Sequence, residues 1–110
     1  MPKVELVYDP GCPNVEAARA QLLRAFAVLD LPPRWQEWSS DNPATPEHAR
    51  GYASPTILVD GQDVSGAEPI DGEASCRIYA TNDGLRGTPS VREIIAALGH
   101  SVAMLASLLL

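Results

Sequence analysis

The sequence predicts a single domain of the mixed α/β class. Its 110 residues are the length of one ordinary domain with one hydrophobic core. Two apolar runs, residues 4–8 and 56–60, are rich in β-branched residues and are typical of strands. Two longer segments, residues 13–29 and 90–98, carry apolar side chains at helical spacing. Strands and helices therefore alternate along the chain, as in an α/β domain.

The first strand leads directly into the first helix. Asp9-Pro10-Gly11 ends the strand, and Pro13 suits a first helical turn, where its missing N–H costs nothing. Asp30-Leu31-Pro32-Pro33 ends the helix. The apolar stripe of this helix consists of Val15, Ala18, Leu22, Ala25, Phe26 and Leu29.

The middle of the chain predicts two further strands and a short helix. Residues 34–38 form a short strand, and residues 45–51 a short helix that Thr45 would cap. Residues 56–60 are the strongest strand and are expected at the centre of the sheet. The Asp60-Gly61 pair is a hairpin turn signal, with residues 62–65 as the returning strand.

The last third of the chain predicts a long loop and a final helix. Residues 66–89 contain Gly, Asp and Pro and predict no regular element. Ser90 followed by Glu93 is a capping box that starts the helix. The predicted order is β-α-β-α-β-β-α, with the long loop before the last helix. Residues 1–98 would form the domain, and residues 99–110 an apolar helical extension.

Composition excludes several classes of function. A net charge of −6 and the absence of a basic stripe argue against nucleic-acid binding. No signal peptide is visible, and two cysteines are too few for a disulfide framework, which favours a reducing, cytoplasmic location. No Cys/His cluster has zinc spacing, and His48 and His100 are expected to face solvent. The apolar tail falls short of the roughly 18 residues that indicate a membrane span, so it is expected to pack on the domain or on a second copy.

Cys12 is the first candidate for chemistry. It lies where a strand ends and a helix begins, and the unpaired N–H groups of a helix start favour a thiolate. The alternative is a small buried hydrophobic residue, which is the common role of a cysteine outside a disulfide. Asp9 counts against the thiolate, since a nearby carboxylate disfavours a second negative charge. Asn14 is a candidate for orienting the helix start.

Pro55 precedes the strongest strand and would form the opposite wall of the Cys12 site. With these two features the chain resembles the thioredoxin-like superfamily. Cys12 matches the reactive cysteine of that superfamily, and Pro55 matches the cis-proline that faces it. Ser65-Gly66 partly resembles the glycine pair of glutaredoxins. A closer resemblance is to a group of small bacterial thioredoxin-like proteins, some of which carry an alkylmercury-lyase-like label. The segments that carry it are Gly11-Cys12-Pro13-Asn14, residues 54–61 and Cys76-Arg77-Ile78-Tyr79.

The chain departs from the thioredoxin pattern at one decisive position. Val15 stands where Cys-x-x-Cys proteins have their resolving cysteine, so that motif cannot release a mixed disulfide here. Three alternatives remain: Cys12 works alone with glutathione, Cys76 resolves the disulfide from the long loop, or the fold lacks redox catalysis. Cys76 can pair with Cys12 only if the two Cα atoms come within about 7 Å. Arg77 would then lie near Cys12 and favour its thiolate.

The first functional hypothesis is a thiol–disulfide oxidoreductase that acts on a small thiol or a protein disulfide. Cys12 and Cys76 would be catalytic, glutathione is the expected co-substrate, and no resident cofactor is expected. The residues expected to bind substrate are Pro13, Asn14, Ser54, Pro55 and Arg77.

Two further hypotheses belong to other classes. Cys12 and Cys76 together would suit a soft metal ion such as Hg(II) or Cu(I), or a role related to organomercurials. The third hypothesis is a non-catalytic interaction module that forms a homodimer through its C-terminal helix.

Overall fold

A four-stranded mixed sheet forms the centre of the molecule. The computed structural model describes residues 2–66 and 77–109, with side chains as far as residue 104. The sheet has the order β2-β1-β3-β4, in which β1 pairs parallel with β2 and antiparallel with β3, and β4 pairs antiparallel with β3. Its strands are β1 (Val4–Tyr8), β2 (Gln36–Ser39), β3 (Thr56–Val59) and β4 (Gln62–Asp63).

Two helices cover one face of this sheet. They are α1 (Val15–Val28) and α2 (Val91–Leu109). The apolar stripe predicted for α1 is buried against β1, β3 and α2, so amphipathic spacing fixes which side of the helix faces the core. The buried side chains of this main core include Val4, Leu6, Ala18, Leu22, Phe26, Ile57, Ile94 and Leu98.

The capping box at the start of α2 is confirmed. The Glu93 N–H donates to Ser90 Oγ at 3.1 Å, and the Ser90 N–H donates to Glu93 Oε1 at 3.1 Å. The helix continues without interruption through Gly99. Beyond that residue, the buried hydroxyl of Ser101 donates to the Asp60 carboxylate at the β3–β4 turn.

None of the described helices is both long enough and apolar enough to cross a bilayer.

The other face of the sheet is covered by the segment that joins β2 to β3. Its predicted short helix is only a single 3-10 turn, Glu47–Ala49. Thr45 does not cap that turn, since its hydroxyl donates to the Ser39 carbonyl oxygen at 2.6 Å instead. Ala49 packs with Val7 and Leu58 in a second, smaller buried cluster. Both faces of the sheet are therefore covered, which explains why every residue of β3 is buried.

Two hairpins lie in the second half of the described chain. Asp60 and Gly61 both have positive φ, at 51° and 83°, as a two-residue turn between antiparallel strands requires. The second hairpin pairs β5 (Tyr79–Thr81) with β6 (Gly84–Arg86). It lies in residues 66–89, where the sequence predicted only a loop. Tyr79 fixes it to the domain because its side chain is buried and its hydroxyl donates to the Pro55 carbonyl oxygen.

Candidate thiol site

Cys12 lies in the loop between β1 and α1, just before the first helical residue, Val15. The Cys12 N–H donates to the Asp9 carbonyl oxygen at 2.9 Å, which closes the loop into a turn. Cys12 is 8 % exposed and contributes to an open cleft of about 320 Å³. The other residues that line this cleft are Tyr8, Pro10, Pro13, Val15, Glu16 and Arg19.

The Ser54–Pro55 segment is bonded directly to the Cys12 loop. The Asp9 N–H donates to Ser54 Oγ at 2.9 Å, across 45 positions of sequence. The peptide bond between Ser54 and Pro55 is cis, and both residues are buried. The structure thus brings together the two segments that the sequence analysis paired as walls of one site.

The carbonyl groups of this segment already have donors within the chain. The Ser54 carbonyl oxygen accepts from the Arg77 N–H at 2.7 Å, and the Pro55 carbonyl oxygen accepts from the Tyr79 hydroxyl. Arg77 and Tyr79 therefore both contact the Ser54–Pro55 segment.

Asn14 and Pro13 occupy different positions beside Cys12. Pro13 is exposed and lines the cleft. The Asn14 side chain makes no capping hydrogen bond to α1 and lies against Gly87. A Cβ atom on Gly87 would come within 2.3 Å of Asn14 Nδ2, so a larger residue at position 87 would force the Asn14 side chain to move. The segment after β6 is thus packed against the loop that carries Cys12.

Arg77 is not placed as the sequence analysis expected. Its guanidinium forms an ion pair with Asp63, and it also donates to Thr56 Oγ1 and Ser65 Oγ, at 2.8 Å each. It does not line the Cys12 cleft. The reason is electrostatic: the Asp63 side chain is 1 % exposed, and a buried carboxylate needs a charged partner.

Arg19 is the cation that the sequence analysis missed. It follows Cys12 by two helical turns and lines the same cleft, with its guanidinium 5.8 Å from the centre of the Tyr8 ring. The guanidinium makes a bidentate pair with Glu37 on β2, at 2.9 Å from Nε and 2.8 Å from Nη2, and also contacts Glu16. Arg19 lies seven residues after Cys12, on the helix that follows it. That helical spacing was the signal in the sequence that pointed to Arg19.

The hydrogen bond from Arg19 holds the pKa of Glu37 below its ordinary value, against the opposing effect of burial, and the Trp35 N–H lowers it further. A carboxyl group with a lowered folded-state pKa stabilises the fold above its unfolded pKa of about 4.3, and loses that effect as the pH falls through the folded value.

We expect Glu37→Gln to lower the free energy of unfolding by about 1 kcal/mol at pH 7, since the pair is about one-third exposed.

The cost of Glu37→Gln should shrink as the pH falls below about 4. Urea unfolding of both proteins at pH 7 and pH 3 measures this change. Glu16→Gln is the control, because Glu16 contacts the same guanidinium but is largely exposed, and its cost should be small at both pH values. A cost of Glu37→Gln that is independent of pH would contradict this account.

A buried carboxylate lies on the opposite face of the sheet. Glu5 in β1 is fully buried, and its Oε2 atom accepts from Trp38 Nε1 at 2.8 Å and lies 2.7 Å from His48 Nε2. Its Oε1 atom has no hydrogen-bond partner among residues 2–66 and 77–109. His48 was expected to face solvent, and it is an exposed residue, with its side chain 42 % exposed although it contacts this carboxylate.

Cys76 lies outside the described residues, so its pairing with Cys12 stays a prediction. Within residues 2–66 and 77–109, no group of three or more His, Cys, Asp or Glu side chains is arranged to hold a metal ion.

The fold and the site define a mixed α/β protein with one cysteine in the loop that leads into its first helix. Comparisons with family models, curated proteins and solved structures gave no match to this chain.

Proposed function

We propose that this protein is a thioredoxin-like thiol–disulfide oxidoreductase in which Cys12 is the attacking thiol and Cys76 the resolving thiol. The observation that carries the proposal is the position of Cys12, between the first strand and the first helix and bonded through its loop to Ser54–Pro55. The strand order, with β1 parallel to β2 and antiparallel to β3, is consistent with a thioredoxin-like fold.

The reaction needs two exchanges. The Cys12 thiolate attacks one sulfur of a substrate disulfide, forming a mixed disulfide and releasing the other sulfur as a thiolate. The Cys76 thiolate then attacks Cys12 Sγ, which forms the Cys12–Cys76 disulfide and releases the second substrate thiolate. Two molecules of glutathione reduce that disulfide and become glutathione disulfide, so the two electrons balance.

The contact between Arg77 and Ser54 supports the role of Cys76. Arg77 follows Cys76 in the sequence, and its N–H donates to the Ser54 carbonyl oxygen. The hydroxyl of the same Ser54 accepts from Asp9, in the turn that Cys12 closes. Two hydrogen bonds therefore link the residue after Cys76 to the Cys12 loop through one serine. Val15 offers no thiol at the usual resolving position.

Intact-mass measurement after incubation with glutathione disulfide tests this proposal. We expect the wild-type protein to lose two hydrogens, as the Cys12–Cys76 disulfide forms. Cys76→Ser should instead accumulate one glutathione adduct, because nothing within the chain displaces glutathione from Cys12.

Cys12→Ser is the matched variant, since it also leaves one thiol per chain. It should form its adduct at least tenfold more slowly than Cys76→Ser, because Cys12 lies just before the first turn of α1, where a thiolate is favoured. Equal rates in the two variants would contradict the proposal. A glutathione adduct on the wild-type protein, with no loss of hydrogens, would reject Cys76 as the resolving thiol.

A further inference from the structure

A second cavity, of about 490 Å³, lies away from the Cys12 cleft. It lies between α1, the β5–β6 hairpin and the start of α2, and each of these elements contributes one arginine to it. They are Arg24, Arg86 and Arg92. We call this the arginine cavity. Its volume is within the range of small-molecule sites, roughly 300–1,000 Å³.

The three arginines of this cavity have no anionic partner in the described part of the chain. Ion pairs of arginine within 4.0 Å there involve only Arg19 and Arg77. Arg24 donates to the Gln21 side-chain oxygen at 3.4 Å and Arg86 to the Leu85 carbonyl oxygen at 3.0 Å, and both acceptors are neutral.

One carboxylate, that of Asp83, also lines the cavity, and it forms no ion pair within 4.0 Å with any residue that the structure describes. The cavity therefore carries three positive charges against one negative charge, in a chain whose net charge is −6. Like charges around one opening repel each other unless an anion lies between them. This local excess of positive charge opposes the overall charge of the protein, so it is not a consequence of composition.

We infer that the arginine cavity binds a small multivalent anion through phosphate or carboxylate oxygens. A guanidinium offers planar pairs of N–H donors that match these groups in bidentate geometry. Thr88 also lines the cavity and adds a hydroxyl group for polar contacts, whereas the hydroxyls of Thr81 and Ser90 already donate to Gly84 and Glu93. The inference does not depend on the proposed thiol chemistry, since neither Cys12 nor Ser54 lines this cavity.

Calorimetric titration of the full chain at low ionic strength tests the inference. The probes are pyrophosphate and succinate, which present the two kinds of oxyanion. We expect saturable 1:1 binding of at least one probe. Arg24→Gln, Arg86→Gln and Arg92→Gln should each weaken it about tenfold, because each removes a hydrogen bond between charged groups.

Arg34→Gln is the control, since it removes the same charge from an exposed arginine that does not line the cavity. It should change the affinity less than about twofold, as a distant charge is screened by salt. Binding of pyrophosphate alone would identify a phosphate ligand, and binding of succinate alone a carboxylate ligand. The inference is overturned if neither probe saturates, or if Arg34→Gln weakens binding as much as the cavity variants do.

Discussion

Replacing Arg77 by leucine should lower the free energy of unfolding by about 3–5 kcal/mol, the cost of leaving one member of a buried ion pair unpaired. The side chains of Arg77 and Asp63 are 15 % and 1 % exposed, so water cannot take over the contact. The substitution also removes hydrogen bonds to Thr56 and Ser65, and a cation–π contact 4.3 Å from the Tyr79 ring centre.

A double-mutant cycle measured by urea unfolding checks the origin of this effect. In an Asp63→Asn background, Arg77→Leu should cost only about 1–2 kcal/mol, because no buried charge remains to be compensated. Arg50→Leu is the control, since Arg50 is exposed and its side chain donates only to the Pro43 carbonyl oxygen, at 3.0 Å. If Arg77→Leu costs the same in both backgrounds, packing rather than charge explains the loss.

Replacing His48 by leucine should destabilise the protein by about 1–3 kcal/mol, because a fully buried carboxylate then loses a hydrogen-bond partner. The fully buried Glu5 carboxylate would then retain only the Trp38 N–H as a donor. Its Oε1 atom has no partner among the described residues, so no second donor there compensates for the loss of His48.

The reciprocal variant Glu5→Gln shows whether charge is the cause. It keeps an acceptor for Trp38 and removes the negative charge, so His48→Leu should cost less than about 1 kcal/mol in that background. His100→Leu, at an exposed position on α2, should change stability by no more than about 0.5 kcal/mol. Thermal and urea unfolding of the wild type, the two single variants, the double variant and His100→Leu provide the comparison. Equal costs of His48→Leu with and without the Glu5 carboxylate would refute this explanation.

The elements that depend on local signals could be predicted from the sequence. β1, α1 and β3 follow from their apolar patterns, with bounds within two residues of those observed. The Asp60-Gly61 turn and the Ser90–Glu93 capping box have their own residue signatures, and both are confirmed. Each of these features depends on residues that are close together in the sequence, and they can therefore be predicted from local segments alone.

The β5–β6 hairpin could not be predicted in the same way. Each strand has only three residues, and Ala80, Gly84 and Arg86 give no alternation of apolar and polar side chains. What holds the hairpin is tertiary: Tyr79 is buried and bonded to Pro55, 24 positions earlier in the chain. The 3-10 turn at Glu47–Ala49 replaced a predicted helix for a related reason, since the Thr45 hydroxyl donates to Ser39 instead of capping a helix.

The candidate site was predictable as a pair of segments but not as a set of contacts. Cys12 and Ser54–Pro55 stand out in the sequence, and the structure joins them through Asp9. The partner of Arg77 was not evident, because Asp63 became a buried carboxylate only when β4 paired with β3. The arginine cavity likewise brings Arg24 of α1 beside Arg86 and Arg92, which lie far along the chain from it.

The charge on Glu5 also has a consequence for the newly made chain. β1 is synthesised first but lies at the centre of the sheet, so one of its edges stays unpaired until residues 56–59 have been made. An apolar strand with a bare edge is a site for pairing with other chains, and a charged side chain within it opposes that association. Glu5, which is fully buried in the folded protein, is therefore expected to oppose pairing of β1 with other chains until residues 56–59 have been made.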